Sequence, residues 1–97
     1  MKRLYHVTPE ARADLLTIHE FIARDDERAA GRLITLFERA FQLLARFPRK
    51  GHRRTDTKTT EAVLFWPLGS YVIVYMPAKP VVFVRVLHGA RDLNALL

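Results

Sequence analysis

Arg85, His88 and Arg91 recur three residues apart where the most apolar stretch of the chain, Val81-Val82-Phe83-Val84, runs out into His88-Gly89-Ala90-Arg91-Asp92-Leu93. Guanidinium and imidazole groups placed at the end of a strand contact a phosphate or an acidic partner, or they move a proton. A second concentration of cations lies upstream. Arg46, Arg49, Lys50, Arg53, Arg54 and Lys58 fall in one short segment, opposed only by Asp56, and supply most of the net charge of +6. Such a segment attracts polyanions: nucleic acid, an acidic protein segment or an anionic membrane surface. The plain alternative is a solvated basic loop that aids solubility.

The catalytic chemistry open to these groups is metal-free RNA cleavage. A base takes the proton of a ribose 2′-hydroxyl, cations stabilise the phosphorane, and an acid protonates the leaving oxygen. His88 is the candidate acid or base; Arg85, Arg53, Arg54 and Lys50 are the candidate cations. Strand parity opposes this set. Alternation puts Arg85 with Val81, Phe83 and Leu87 on one face, and His88 with Val82, Val84 and Val86 on the other. Only a strand end or a bulge before His88 would change that. Structural roles compete as well: a salt bridge from Arg85 to a helix carboxylate, and a strand-end His88 bonded to backbone. Other chemistries lack parts. The four glycines are scattered, Ser70 is the single serine, and His6, His19, His52 and His88 have no metal-ligand spacing. No metal and no cofactor is expected.

These groups need elements to hold them. Lys2 to Val7 alternates as a short strand, with Tyr5 and Val7 on one side. Thr8-Pro9-Glu10 then reads as a helix start: a cap, a proline at the first position and an acid at the positive end of the dipole. Ala11, Leu15, Ile18 and Ile22, widened by Phe21, give this first helix an apolar stripe ending near Arg24. Asp25-Asp26-Glu27 caps a second helix. Ala30, Leu33, Ile34, Phe37, Ala40, Phe41, Leu44 and Phe47 form its apolar face, and Pro48 stops it. Gly31 is expected to let the two helices approach closely. So short a connection makes them an antiparallel hairpin.

Residues 49–60 read as an exposed basic loop. The period then switches to two: Ala62, Leu64 and Trp66 against Val63 and Phe65, a turn at Pro67-Leu68-Gly69-Ser70, a strand over Tyr71 to Met76, a turn at Pro77-Ala78-Lys79-Pro80, and a strand over Val81 to His88. Short turns make these three an antiparallel meander. The last is apolar on both sides, which implies a central place in the sheet. Asp92 is expected to cap a final helical turn docked through Leu93, Leu96 and Leu97. The predicted fold class is α+β: an N-terminal strand, then an antiparallel helical hairpin packed on an antiparallel sheet with a three-stranded C-terminal meander.

A chain of 97 residues predicts one domain, spanning 1–97, with one core. It has no cysteine, which excludes disulfides, thiolate zinc sites and a cysteine nucleophile, and fits a reducing cytoplasm. The basic N-terminus lacks an apolar segment, so no signal peptide is expected, and no apolar run is long enough to predict a membrane span.

In this order and spacing the chain resembles the RelE/ParE superfamily of toxins from bacterial type II toxin–antitoxin modules, and within it the ParE branch. The residues that carry the resemblance are Thr8-Pro9-Glu10-Ala11-Arg12-Ala13-Asp14-Leu15 opening the first helix, Phe47-Pro48-Arg49-Lys50-Gly51-His52-Arg53 after the second, the aromatic meander, and Arg85 to Leu93 at the end. The resemblance implies a small cytoplasmic toxin that poisons DNA gyrase without catalysing a reaction. It also implies neutralisation by a cognate ParD-like antitoxin with a ribbon-helix-helix start and an acidic, amphipathic C-terminal tail, in a higher-order complex. RelE-type relatives are instead ribosome-dependent messenger-RNA endonucleases, often with a tyrosine or histidine near the C-terminus. Here His88 is followed by glycine and the last tyrosine is Tyr75. A non-toxic relative that only binds an antitoxin is the third possibility. The expected antitoxin or target contacts are Arg49, Lys50, Arg53, Arg54, Arg85, His88 and Arg91.

Overall fold

The computed structural model describes residues 4–53, 62–89 and 92. In chain order these form β1 (Tyr5–Val7), α1 (Pro9–Ala23), α2 (Glu27–Arg46), a 3-10 turn (Pro48–Lys50), β2 (Leu64–Leu68), β3 (Tyr71–Met76) and β4 (Val81–His88). The boundaries follow local chemistry. The Thr8 hydroxyl accepts from Ala11 N–H, and Asp26 accepts from Ala29 N–H, so both helices start on side-chain caps. Pro48 cannot continue α2, which ends at Arg46.

The four strands lie in the order β1-β4-β3-β2. The meander is antiparallel as expected, and β4 is central. The N-terminal strand joins β4 in parallel, Tyr5 opposite Val81 and Val7 opposite Phe83, so the sheet is mixed. β2 runs through Pro67 and Leu68, leaving a two-residue turn at Gly69-Ser70 instead of the four-residue turn expected. Gly69 takes φ of +59°, which glycine adopts without strain. Pro67 is tolerated because β2 is an edge strand.

Helices cover one face of the sheet. Phe37, Phe41 and Leu44 of α2 pack there on Leu64, Ile73, Tyr75, Val81, Phe83 and Val86. Phe41 stacks on Phe83 at 4.2 Å between ring centroids, and Tyr5 meets Phe83 edge-on at 5.3 Å. Val63, Phe65, Val72, Val74 and Leu87 form a second buried cluster. Alternation along β2 assigns Val63 and Phe65 to the opposite face from Leu64 and Trp66, as the sequence pattern requires.

Three further expectations fail, each for a physical reason. Phe21 is 67% exposed and does not widen the stripe of α1. That helix meets α2 and the side of β4, and buries only a narrow strip. Phe47 is 55% exposed because α2 stops before it, so it leaves the helical face that would have carried it inward. Gly31 is not at a close approach: a Cβ built there meets nothing within 4 Å. Its glycine therefore only weakens the helix. Gly31→Ala is expected to raise stability by about 0.5–1 kcal/mol, read as a higher urea midpoint at unchanged slope.

Candidate functional site

The end of β4 is organised by a shortage of strand. β1 pairs only with residues 81–83, so the same side of β4 would be open beyond Phe83. The start of α1 closes it. Thr8 N–H donates to Phe83 O at 3.0 Å, and the Thr8 hydroxyl donates to Val84 O at 3.0 Å. Asp14 takes the next donor: Val86 N–H reaches its Oδ2 at 2.9 Å. The same carboxylate accepts Arg85 Nε at 2.7 Å and Nη2 at 3.0 Å, a two-pronged pair. The salt bridge weighed for Arg85 is therefore present. It holds the guanidinium above its ordinary pKa, the hydrogen bond being the largest cause.

A β-bulge lies between Arg85 and Phe83, where Val84 has no counterpart on β3. It shifts the parity. Val81 and Phe83 share the helix-side core with Val86, and His88 lies opposite Tyr71, edge-on at 5.6 Å between rings. Alternation had placed His88 with Val82 and Val84, so that expectation is corrected. Arg85 pairs with Val74 and Leu87 with Val72, both in the other cluster. Because both Arg85 and His88 follow the bulge, they stay on opposite faces. Nδ1 of His88 is buried without a hydrogen-bond partner among the described residues. The backbone N–H of His88 donates to Asp92 Oδ2 at 2.7 Å. Gly89 and Asp92 are both helical, and the final turn that Asp92 was expected to cap lies outside the described residues.

The basic segment is fixed by Tyr75. Its hydroxyl donates to Pro48 O at 2.7 Å and accepts Gly51 N–H at 2.9 Å. Burial pushes the Tyr75 phenol up, partly offset by the Gly51 hydrogen bond. A Cβ on Gly51 would fall 2.5 Å from that hydroxyl, so only glycine fits. His52 then exchanges both backbone hydrogen bonds with Phe65 on the outer edge of β2. Arg49, Lys50, His52 and Arg53 are all exposed, and Arg49 and Arg53 line a hollow of about 370 Å³ beside Val63, Met76 and Pro77. Thus Arg49, Lys50 and Arg53 come together, Arg85 and His88 lie apart on two faces, and Arg54 and Arg91 fall outside the described residues. So do Leu93, Leu96 and Leu97.

A larger groove of about 870 Å³ opens at the other edge of the sheet. Leu4, Tyr5, Val7, Leu15, Ile34 and Phe41 give it an apolar lining, with Arg12, Glu38, Gln42 and Arg46. Besides the Tyr75 clamp, two groups escaped the sequence reading. Asp14 carried a signal, an acid set between Ala11 and Ile18 on the apolar stripe, which must find a donor. The parallel stacking of His52 on Trp66 carried none.

The model of the family described as "ParE toxin of type II toxin-antitoxin system, parDE" matches residues 5–93. Among solved structures, a chain described as "Chromosomal ParDE TA system from P. aeruginosa" superposes with a TM-score of 0.70 at 16% sequence identity, covering 87% of this chain and 92% of that chain. At that identity the likeness concerns the fold. No curated protein matches the chain.

Two measurements test these anchors. Asp14→Ala leaves Val86 N–H unpaired and is expected to cost about 1–3 kcal/mol in urea unfolding, whereas Arg85→Ala, removing a half-exposed partner, costs less than about 1 kcal/mol. Folded Tyr75 holds its proton more tightly than the unfolded chain does, so stability is full below the ordinary tyrosine range near pH ~10 and falls as pH rises through it. Tyr75→Phe is expected to lower stability by about 1–2 kcal/mol at neutral pH and to flatten this alkaline decline.

Proposed function

The chain belongs to the ParE toxin family of type II toxin–antitoxin systems, and from that membership we propose that it acts in the cytoplasm by binding and poisoning DNA gyrase. A cognate ParD-like antitoxin holds it inactive. The observation that carries this is the family match over nearly the whole chain, joined to a surface made for docking. The apolar groove between β1 and the helical hairpin suits an amphipathic tail that folds as it binds. Apolar residues of the tail lie on Tyr5, Leu15, Ile34 and Phe41, and its acids meet Arg12 and Arg46. Arg49, Lys50 and Arg53, exposed on a clamped turn, are the target contacts.

The separation of Arg85 and His88 favours docking over bond cleavage, since one reacting phosphate cannot engage both faces of a sheet. Supercoiling and cleavage by purified gyrase with the isolated toxin is the direct test. Cleaved DNA is expected to accumulate and supercoiling to fall, and His88→Gln is expected to keep that activity. Unaffected gyrase together with cut ribosome-bound messages, abolished by His88→Gln, would replace this reading with a ribonuclease. Expression that leaves growth untouched would point to a non-toxic antitoxin-binding relative.

A further inference from the structure

We propose that the exposed His52 ring, stacked on Trp66 and flanked by Arg49, Lys50 and Arg53, is a base-stacking site for single-stranded nucleic acid. The two rings are parallel within 6° at 6.2 Å between centroids, the offset geometry of a π-stack. His52 is exposed and Trp66 half-buried, so the stack has a supported inner ring and an open outer one. Its backbone is held on both sides of the ring: His52 pairs with Phe65, and Gly51 is clamped by Tyr75. An ordered aromatic face on an otherwise irregular segment is what a nucleobase stacks upon.

The cations complete the site. The His52 ring lies against Trp66 at the edge of the sheet, and Arg53 joins Arg49 at the hollow beside Val63. A single strand laid along this edge puts a base on the imidazole and its phosphates on the guanidinium groups. Among the described residues Arg49, Lys50 and Arg53 meet no carboxylate, so their donors are available to phosphate oxygens. An acidic peptide would use the same cations but would leave the aromatic face unused, which is why nucleic acid is the occupant favoured here. This goes beyond the target contact assigned above, and it is read on free oligonucleotide without gyrase, so each can fail alone.

Trp66 is the single tryptophan of the chain, and its emission therefore reports this place and no other. The full chain is titrated with a short oligothymidylate while that emission is followed, with anisotropy of the labelled strand measured in parallel. Saturable quenching is expected, with affinity falling on log-log axes by a slope of roughly −2 for three phosphate contacts. His52→Ala is expected to weaken binding roughly 5- to 100-fold with that slope kept, whereas Arg49→Ala and Arg53→Ala each reduce the slope by about 0.7. Oligoribouridylate in a second titration separates RNA from DNA as the source of the strand. Anisotropy binding without quenching and indifferent to His52→Ala would leave a phosphate contact only and overturn the stacking site. Tighter binding of polyglutamate than of the oligonucleotide would overturn it in favour of an acidic protein, and the absence of any binding would end it.

Discussion

An unequal strand pair governs this fold. β4 has eight residues and its parallel neighbour β1 only three. Each backbone group left open and dry beyond Phe83 would cost about 1–3 kcal/mol. The chain answers with side chains: Thr8 and Asp14 stand where a longer β1 would have placed peptide groups. α1 is thereby pinned by polar contacts along the strand edge, and not only by its apolar stripe. That explains how a helix with Leu16 and Phe21 facing outward still has a fixed place. It also explains why Thr8 serves twice, capping the helix through one lone pair while its hydroxyl hydrogen goes to Val84.

The bulge at Val84 falls in the same stretch of β4. One extra residue turns Arg85 away from the helical core and brings His88 onto it. Without the bulge, Arg85 would carry a guanidinium into the apolar layer that Val81 and Phe83 occupy, a burial that only a full set of partners could offset. With it, the charge reaches Asp14 while half exposed, and the imidazole packs on Tyr71. The pair most suggestive of catalysis in the sequence thus makes two separate contacts, Arg85 with Asp14 and His88 with Tyr71.

Local chemistry was the legible part. Thr8, Asp26 and Pro48 punctuate the helices so firmly that their ends lie within a residue or so of where caps and proline put them. Period-two patterning gave the meander, and the apolar run at Val81 gave its central strand. Non-local choices were hidden. Nothing in residues 4–7 says that they pair with β4, and in parallel. Alternation could not show the bulge, so His88 was assigned to the wrong companions. Phe21 and Phe47 have core composition, but exposure depends on where a helix crosses and where it stops. In the candidate site the exposure of Arg49, Lys50 and Arg53 was readable from composition. The Tyr75 clamp that fixes them was not, because tyrosine in a strand reads simply as a good strand former.

The two candidate surfaces lie at opposite ends of the strand order, the groove beside β1 and the basic turn beside β2. This limits how one occupant can influence the other. The molecule measures 38 × 36 × 21 Å, whereas free charges are screened over about 10 Å at 0.1 M salt. Acids bound in the groove therefore cannot neutralise Arg53 through solvent. Either a tail is long enough to pass around the end of the sheet and cover the turn, or coupling runs through the protein. Among the described residues α2 is the element placed for the second route. Phe41, Gln42 and Arg46 line the groove, and two residues after Arg46 the chain is caught at Pro48 by Tyr75, whose hydroxyl also holds Gly51. A ligand that shifts the end of α2 must strain that clamp or break it. Between contact and coupling, the clamp decides: a bound tail that leaves both Tyr75 hydrogen bonds intact can silence the basic turn only by touching it.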